Sequence, residues 1–346
     1  MNVKKYCFFI SASSLLSMTN YATADLDPNR FEIQDVNVSM SIQDDAAYPI
    51  YANGRMQAPV DIALKIYDKI NSQYIQLTET QLKNAIILTD INGVVLTFNQ
   101  PVNNSWGFTF TENSFSHRIK ERSKRSSSSQ VSSSPVWSNL RAYVYTDEEV
   151  YEKKICIAVK FTSDQTFNSC SGNFDEYARI ESKSEKTYIA DFFTLSQTKL
   201  WDSNDEDWDS SLNQQLYQHY ISHKQGIKLH SVGRVGTWRG ETVIRYPEAD
   251  NILTFSMHGE GGTAWFIPSL TKTHYSYMGT PYPINNRKGQ LSILRITSPD
   301  NPVSPESPAY RHVVNKQPLY ILDKYGNEST ISLEFSSDES KWVLLD

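Results

Sequence analysis

A run of strictly alternating residues near the N-terminal end constrains the fold of this chain most. In residues 60–67, every second residue is a large apolar one (Val60, Ile62, Leu64, Ile66). The residues between them are mixed in character (Asp61, Ala63, Lys65, Tyr67). Successive side chains of a β-strand point to opposite faces, so the pattern predicts a strand with one buried and one solvated face. Such strands are typical of antiparallel sheets. Similar runs recur along the chain, and we therefore expect a mainly β protein.

The order of these runs predicts two antiparallel β-sandwich-like domains with one short connecting helix. The chain has 346 residues, which is compatible with two domains. Residues 25–197 are assigned to the first domain and residues 227–346 to the second. Between them, residues 198–226 combine an acidic run with a helix-like pattern over residues 212–224. This segment is predicted to be an acidic-helical connector.

The N-terminus has the three parts of a secretory signal peptide. Lys4 and Lys5 supply a positive start, residues 7–18 form a short apolar core, and residues 22–24 (ATA) fit the cleavage pattern. The apolar core is shorter than the roughly 20 residues that a membrane-spanning helix needs. We predict that residues 1–24 are removed and that the mature chain is exported, to the periplasm or outside the cell, without a transmembrane anchor. The signal is bacterial in style.

Removal of the signal peptide leaves two cysteines, Cys156 and Cys170. Exported proteins meet oxidising conditions, so these two cysteines are expected to form a disulfide. Cys156 lies between Ile155 and Ile157 in an alternating strand, which predicts the disulfide on the outer face of the sheet. A nucleophilic or metal-binding thiol is the alternative, and it would need a reducing compartment.

A basic and serine-rich segment, residues 113–139, interrupts the strand pattern. It has few large apolar side chains, so too little of it can be buried to offset the entropy of ordering. A mobile loop is therefore predicted. Within it, Arg122, Lys124 and Arg125 match the form cut by furin-like proteases, and a merely solvated basic loop is the alternative. We expect limited trypsin to cut first at these three residues.

The acidic run offers a candidate calcium site. Its oxygen-bearing side chains include Asp202, Asn204, Glu206 and Asp209. Ca²⁺ prefers oxygen ligands of this kind. The run lacks the glycine and the final bidentate Glu of an EF-hand loop, so a solvated acidic linker is the alternative. No other cofactor is predicted.

Two motifs have residue types that active sites use, and neither is complete. His219 and His223 lie four apart on the predicted helix and could share a metal ion, but a third ligand is not evident. Residues 258–262 (HGEGG) resemble the glycine-rich oxyanion loop of esterases, but the chain has no G-x-S-x-G nucleophile motif. The alternatives are a structural histidine pair and a turn between two strands.

Aromatic residues of the second half form a candidate binding surface. The candidates are Trp201, Trp208, Tyr275, Tyr277 and Tyr282. Exposed rings of this kind could bind a sugar or face a membrane, because they combine a large apolar face with a polar edge. Core filling is the alternative for each of them.

Two segments resemble bacterial immunoglobulin-like domains. Ala52-Asn53-Gly54 followed by residues 60–68 is similar to the A-N/D-G … V-x-V-x-L … D pattern of that family, with a different spacing between the glycine and the strand. Residues 323–335 are similar at lower specificity. The resemblance implies a β-sandwich and a spacer or adhesive role in an exported protein, and it assigns no site residues.

Taken alone, the sequence favours a non-enzymatic exported binding protein, with a host-directed bacterial factor as one form of it. The expected partner is a protein or a glycan, and the net charge of -6 argues against nucleic acid. Two alternatives stay open. One is a β-rich pore-forming toxin activated by proteolysis in residues 118–125, although this segment lacks the alternating apolar residues of a membrane hairpin. The other is a secreted glycan or peptide hydrolase with dispersed carboxylates.

Overall fold

The chain is mainly β, as predicted. A computed structural model describes residues 26–40, 46–119, 136–161, 166–172, 174–203, 215–234, 251–258, 261–267, 273–277, 279–298, 316–335 and 342–346. Within these ranges each sheet takes its strands from one part of the sequence, so the strands form two groups that follow each other along the chain. We call them the N-terminal region (residues up to Ser184) and the C-terminal region (residues from Tyr188 onward).

The N-terminal region contains two sheets. In chain order its strands are β1 (Phe31–Met40), β2 (Tyr48–Ala52), β3 (Ala58–Asp68), β4 (Gln73–Ile75), β5 (Ile86–Asp90), β6 (Thr97–Phe98), β7 (Trp106–Thr109), β8 (Ser138–Thr146), β9 (Val150–Lys160), β10 (Thr166–Asn168) and β11 (Ala178–Ser184). The first sheet has the order β1-β3-β8-β7-β6, with β4 also paired to β3. The second has the order β10-β9-β11-β2, with β5 also paired to β9. Most pairs are antiparallel, whereas β11–β2 and β6–β7 are parallel.

The C-terminal region contains three sheets. Its strands are β12 (Phe193–Asp202), β13 (Gln215–His223), β14 (Leu229–Arg234), β15 (Asn251–His258), β16 (Gly261–Ile267), β17 (His274–Tyr277), β18 (Thr280–Pro283), β19 (Leu291–Ser298), β20 (Lys316–Asp323), β21 (Glu328–Phe335) and β22 (Trp342–Leu345). The orders are β12-β13-β19-β16-β15, β14-β20-β21-β22 and β17-β18. A 3-10 turn, Ala190–Phe192, leads into β12.

Strand β3 has the alternation that its sequence predicts. Val60, Ile62, Leu64 and Ile66 are each at most 2% exposed, while the residues between them are half-buried. These side chains belong to one hydrophobic cluster with Ile155 and Ile157 of β9, so the inner faces of the two N-terminal sheets share a core. Burial of a side chain of this size contributes about 1.5–3 kcal/mol. The alternating sequence therefore places one face of β3 in the core of the N-terminal region, with β1 and β8 as its neighbours in the sheet.

The α-helix described in the N-terminal region begins at a capping box. Helix α1 spans Glu79–Ala85, and the Thr78 hydroxyl accepts a hydrogen bond from the Gln81 amide, while the Gln81 side chain accepts one from the Thr78 amide. These reciprocal bonds satisfy amides that a helix start otherwise leaves unpaired. Leu82 and Ala85 face the core. Among the described residues, no helix has both the length and the hydropathy needed to cross a bilayer.

The predicted connecting helix over residues 212–224 is wrong. Residues 215–223 form β13, which pairs with β12 on one side and with β19 on the other. Residues four apart share a face in a helix, but they also share a face in a strand, because four is a multiple of the strand period of two. The aromatic and β-branched residues of this segment favour the strand once neighbouring strands are available to pair with it.

The predicted disulfide between Cys156 and Cys170 is confirmed. Cys156 is completely buried, and it lies outside the hydrophobic cluster that its neighbours Ile155 and Ile157 join. The residues after β10 fold back over this face: the Ser169 hydroxyl accepts a hydrogen bond from the Ile157 amide and donates one to the Glu176 carbonyl. The disulfide thus lies between the sheet and a covering loop.

The prediction of an unpacked loop over residues 113–139 is wrong at both ends. Ile119 is 9% exposed and belongs to the N-terminal core, and the Tyr48 hydroxyl donates a hydrogen bond to the His117 carbonyl at 2.7 Å. At the other end, β8 already begins at Ser138. Polar side chains that bond to neighbouring backbone groups replace the apolar contacts that the sequence lacks. Residues 120–135, with the proposed cleavage site, lie outside the described residues.

Candidate functional site: an apolar hairpin and a polar junction

Large apolar side chains are exposed along residues 91–98 of the N-terminal region, which form the turn after β5 and run on into β6. The exposed fractions are 48% for Ile91, 62% for Val94, 56% for Val95 and 46% for Phe98. We call these four residues the apolar hairpin. Apolar side chains that cluster at the surface of a soluble protein mark interaction sites more often than singly exposed ones do. The hairpin is therefore a candidate binding surface.

The turn of the apolar hairpin is fixed by Asp90. Its carboxylate accepts hydrogen bonds from the Asn92 and Val94 amides, both at 2.9 Å, and Gly93 has a φ of +80° that suits glycine. The Lys153 ammonium lies 3.2 Å from the same carboxylate. Burial acts to raise the pKa of Asp90, but the Val94 amide and Lys153 outweigh it and hold the pKa below its usual range. The tip is thus a defined turn.

The two ends of the exposed segment are anchored in the core. Leu96 is 4% exposed, and its amide donates a hydrogen bond to the Leu88 carbonyl at 2.9 Å. The Phe98 ring lies 5.0 Å from the Phe108 ring and 5.5 Å from the Phe110 ring, between ring centroids. Aromatic contacts of this geometry stabilise the position of a ring. The hairpin therefore presents its apolar side chains from a fixed base.

A second cluster joins the two regions through buried polar groups. Asn53 precedes Gly54 in the turn after β2, and its amide group donates to the Tyr325 carbonyl and to Asn327 Oδ1, both at 3.1 Å. Its carbonyl oxygen accepts bonds from the amides of Arg55 and Met56. All hydrogen-bonding capacity of this buried side chain is thereby used. We call the contact between this turn and residues 323–327 the polar junction.

On the other side of the polar junction, Asp323 organises its own turn. Its carboxylate accepts from the Tyr325 amide at 2.7 Å, and from the backbone amide and the side-chain amide of Asn327, both at 3.0 Å. Asp323 is 2% exposed and Asn327 is completely buried. Burial raises the pKa of the Asp323 carboxyl, although these donors act against the increase. Tyr325, at the tip of this turn, belongs to the hydrophobic core of the N-terminal region.

Arg55 closes the edge of the polar junction. Its guanidinium donates to the Gly326 carbonyl at 3.0 Å and to Glu328 at 2.7 Å, and it lies 3.5 Å from Glu185. The Glu185 carboxylate also accepts the Glu328 amide. The arginine and both carboxylates are about one-third exposed, so the ion pairs contribute little energy by themselves. Their geometry fixes how the two turns meet.

The segment from Glu112 to Ile119 also touches both regions. His117 Nε2 lies 2.8 Å from the Glu112 carboxylate, and its Nδ1 lies 3.1 Å from the Gln57 carbonyl. Because both ring nitrogens face acceptors, the charged ring is the form that donates to both. The other Glu112 oxygen accepts the Tyr143 hydroxyl. Neither nitrogen of His117 is directed at open space, so this dyad holds the segment in place.

The histidine pair of the sequence does not form a metal site with a third ligand. In β13, His223 packs against the rings of Tyr188, Phe192 and Phe193, and His219 lies beside Tyr217. Within the described ranges, no three His, Cys, Asp or Glu side chains are arranged to hold a metal ion. β15, which ends at His258, pairs antiparallel with β16, which begins at Gly261, and residues 259 and 260 lie outside the described residues.

Several candidate site residues from the sequence are buried in the structure or lie outside the residues that it describes. Asp202 is 6% exposed, and its carboxylate accepts bonds from Lys199 and Gln215. Trp201 and Tyr275 are buried together in a small core, with Tyr282 half-buried against it, as the core-filling alternative states. The remaining candidates lie outside what the structure describes: Asn204, Glu206, Trp208, Asp209, Arg122, Lys124, Arg125 and the side chain of Tyr277.

Sequence reasoning missed both surfaces that the structure brings forward. Residues 90–93 (Asp-Ile-Asn-Gly) are typical of a hairpin turn, but hydropathy alone does not show that Val94 and Val95 are exposed. The polar junction joins Asn53 to Tyr325 across 272 positions. The two turns involved are the segments that resemble immunoglobulin-like domains, so a pattern drew attention to each turn but not to their contact.

Comparison with known proteins does not place the chain in a family. No protein-family model matches the sequence, and no curated protein matches it. The function proposed below therefore rests on the residues of this chain.

Proposed function

We propose that this protein is an exported, non-enzymatic interaction protein that binds a protein partner through the apolar hairpin. The observation that carries the proposal is the exposure of Ile91, Val94, Val95 and Phe98 along one anchored segment, residues 91–98. Interface cores are enriched in apolar and aromatic side chains, and a fixed base lowers the entropy cost of binding. Aliphatic side chains favour an apolar protein surface over a glycan, which flat aromatic faces bind better.

Export is the second part of the proposal. It is supported by the signal-peptide pattern of residues 1–24 and by the disulfide between Cys156 and Cys170. Disulfides persist in oxidising compartments. N-terminal sequencing of the chain from the periplasm or the medium is expected to begin at Asp25. A chain that keeps residues 1–24 and stays in the cytoplasm would contradict this part.

We further infer that each region is a β-sandwich-like domain. This inference is supported by the shared core of the two N-terminal sheets and by a separate cluster that joins β13, β19 and β20 in the C-terminal region. The polar junction would then be the interface between two domains. Such interfaces are commonly more polar than domain cores.

The binding proposal is tested with a double substitution, Val94→Asp/Val95→Asp. Both side chains are more than half exposed, so the variant is expected to fold normally while its surface becomes charged. Ile70→Asp/Ile189→Asp is the matched control, because these residues are 72% and 48% exposed, lie elsewhere, and receive the same charge change.

The assay is saturable binding of the fluorescently labelled mature chain to intact cells of the producing bacterium and to cultured host cells. Loss of two aliphatic contacts and burial of two carboxylates are expected to weaken binding at least about tenfold. The control variant is expected to bind like the wild type. Equal binding by all three proteins would refute the assignment of the hairpin.

A further inference from the structure

Strand β12 lies at the end of its sheet, and one of its two backbone edges has no partner strand among the described residues. The order of this sheet is β12-β13-β19-β16-β15, so β12 pairs with β13 alone. Residues 194 and 196–199 are exposed, and Leu195 between them is half-buried. An end strand offers its free N–H and C=O groups to any further strand. This edge belongs to the C-terminal region, so it is independent of the apolar hairpin.

The hydrogen bonds at the start of β12 show which of its residues face β13. The Lys224 amide donates to the Phe192 carbonyl at 2.8 Å, just before the register pairs Phe193 with His223. Hydrogen-bonded and non-hydrogen-bonded pairs alternate along an antiparallel ladder. The bonds to β13 are therefore made by every second residue of β12, starting from Phe192.

The residues between these direct their backbone groups away from β13. The inward set is Thr194, Ser196 and Thr198, and the outward set is Phe193, Leu195 and Gln197. The Phe193 amide agrees with this assignment, because it donates to the Ala190 carbonyl and not to β13. In the part of the chain that the structure describes, the Phe193 carbonyl and both backbone groups of Leu195 and Gln197 thus remain open to a further strand.

Other end strands have features that discourage a further strand. β1 has a bulge between Ile33 and Asp35 together with exposed acidic residues, and β2 contains Pro49, which has no N–H group. Residues 193–198 of β12 contain no proline and no charged residue, and the bulge of β12 comes only after Lys199. This stretch of β12 therefore lacks the devices that protect the edges of β1 and β2.

The open stretch of β12 is complementary to itself about Ser196. If a second copy runs antiparallel with Ser196 opposite Ser196, then Leu195 of each copy lies opposite Gln197 of the other. Both residues have outward N–H and C=O groups, so each such pair can form two backbone hydrogen bonds. The same register places Thr194 opposite Thr198 of the second copy, and two threonines are favourable neighbours across strands.

Charge does not oppose this pairing. Lys199 of one copy would lie opposite Phe193 of the other, and its ammonium is 2.8 Å from the Asp202 carboxylate of its own chain. The two copies of Lys199 would be six residues apart along the paired strands, which is about 20 Å at the rise of a strand. Like charges therefore do not meet.

We propose that the mature protein forms a symmetric dimer in which the β12 strands of two copies pair antiparallel about Ser196. The two sheets that contain β12 then continue into each other, and the open edge of each copy is covered by the other. The contact is isologous, because the same residues of both copies form it. So short a stretch buries little area, and the dimer is therefore weak and depends on protein concentration.

Analytical ultracentrifugation of the full mature chain tests for the dimer. Between about 1 μM and about 1 mM, the average mass is expected to rise from that of one chain toward that of two. Val94→Asp/Val95→Asp is expected to dimerise like the wild type, which separates this contact from self-association through the apolar hairpin. A wild-type protein with the mass of one chain at every concentration would overturn the proposal.

Gln197→Pro tests the role of the outward backbone edge. Proline removes the outward N–H group of residue 197 but no bond to β13, and proline is tolerated at such positions of end strands. Dimerisation is expected to weaken at least about tenfold. Gln197→Ala keeps the N–H group and is expected to dimerise like the wild type. Equal dimerisation by the proline and alanine variants would overturn the proposal.

Ser196→Cys tests the register directly. Opposite residues of a non-hydrogen-bonded pair have Cα atoms about 4.5 Å apart, which is within the range of a disulfide. Mild oxidation of this variant is therefore expected to give a disulfide-linked dimer. Thr198→Cys is the matched control with little linked dimer expected, because the two copies of residue 198 would be about 13 Å apart. Equal yields from the two variants, or a higher yield from Thr198→Cys, would overturn the proposed pairing.

Discussion

Replacement of Asn53 is expected to weaken the whole molecule, because one side chain serves both regions. Asn53→Ala removes four hydrogen bonds: two from the amides of Arg55 and Met56, and two to Tyr325 and Asn327. Asn327 Oδ1 still receives a longer bond of 3.4 Å from the Lys186 amide. The Met56 amide and the Tyr325 carbonyl lose their partner in a buried place.

The magnitude follows from these two groups. A buried polar group left without its partner costs about 1–3 kcal/mol, so Asn53→Ala is expected to lower the free energy of unfolding by roughly 2–5 kcal/mol. Asn53→Asp tests the same point in another way. It keeps the acceptor for the two turn amides, but its second oxygen would face two acceptors at the positions of the present 3.1 Å contacts. Rotation of the Asn327 amide cannot relieve this, since its nitrogen already donates to Asp323.

Urea unfolding measured by tryptophan fluorescence and far-ultraviolet circular dichroism gives the comparison. The matched control is Asn92, which also precedes a glycine in a turn but is exposed. Asn92→Ala is expected to change the free energy of unfolding by less than about 0.5 kcal/mol. If Asn53→Ala behaved like the control, the polar junction would contribute no net stability and the reasoning would be refuted.

Three further predictions concern other fixed points of the fold. Gly326→Ala is expected to lower stability by about 1–3 kcal/mol in thermal unfolding, because Gly326 has a φ of +83° and an added Cβ would lie 2.8 Å from Arg55 Cβ; an unchanged melting temperature would contradict this. Reduction of the disulfide between Cys156 and Cys170 is expected to cost about 3 kcal/mol on the chain-entropy model, seen as a lower urea midpoint with reductant. The Arg30 guanidinium, with the Asn71 and Ile70 amides, holds the pKa of Asp68 far below its ordinary 3.8. The stability that this contact contributes is therefore present above pH 3.8, and it is lost as the pH falls through the lowered pKa. Asp68→Asn is therefore expected to flatten the acid limb of a plot of stability against pH, and an unaltered limb would argue against it.

The sequence predicts those parts of the fold that depend on local alternation and local caps. Strand β3 and the capping box of α1 are both readable because each signal repeats or closes within a few residues. The connecting helix was mispredicted because residues 212–224 satisfy a spacing of four that fits helix and strand alike. The neighbours β12 and β19, which decide the matter, are supplied by distant parts of the chain.

The candidate site was harder to predict than the strands. Val94 and Val95 look like core residues in the sequence, and only the folded structure shows that they are exposed. Likewise, Asn53 and Asp323 each look like ordinary turn residues, since Asn and Asp commonly cap their own turns. That the two turns bond to each other depends on the packing of both regions, for which one sequence contains no local signal.

The central claim, that the apolar hairpin is the binding surface of an exported interaction protein, is tested most directly by photo-crosslinking. A photoreactive phenylalanine derivative is introduced at Val94 in the full mature chain, and at Ile70 as the exposed control position. The chain is irradiated on the cells to which it binds. We predict that the probe at position 94 forms a covalent adduct with one defined protein and that the probe at position 70 does not. Excess unlabelled wild-type protein is expected to suppress the adduct, whereas the same excess of the Val94→Asp/Val95→Asp variant is not. Adducts of equal yield from both positions, or none from position 94 while the chain is bound, would contradict the claim.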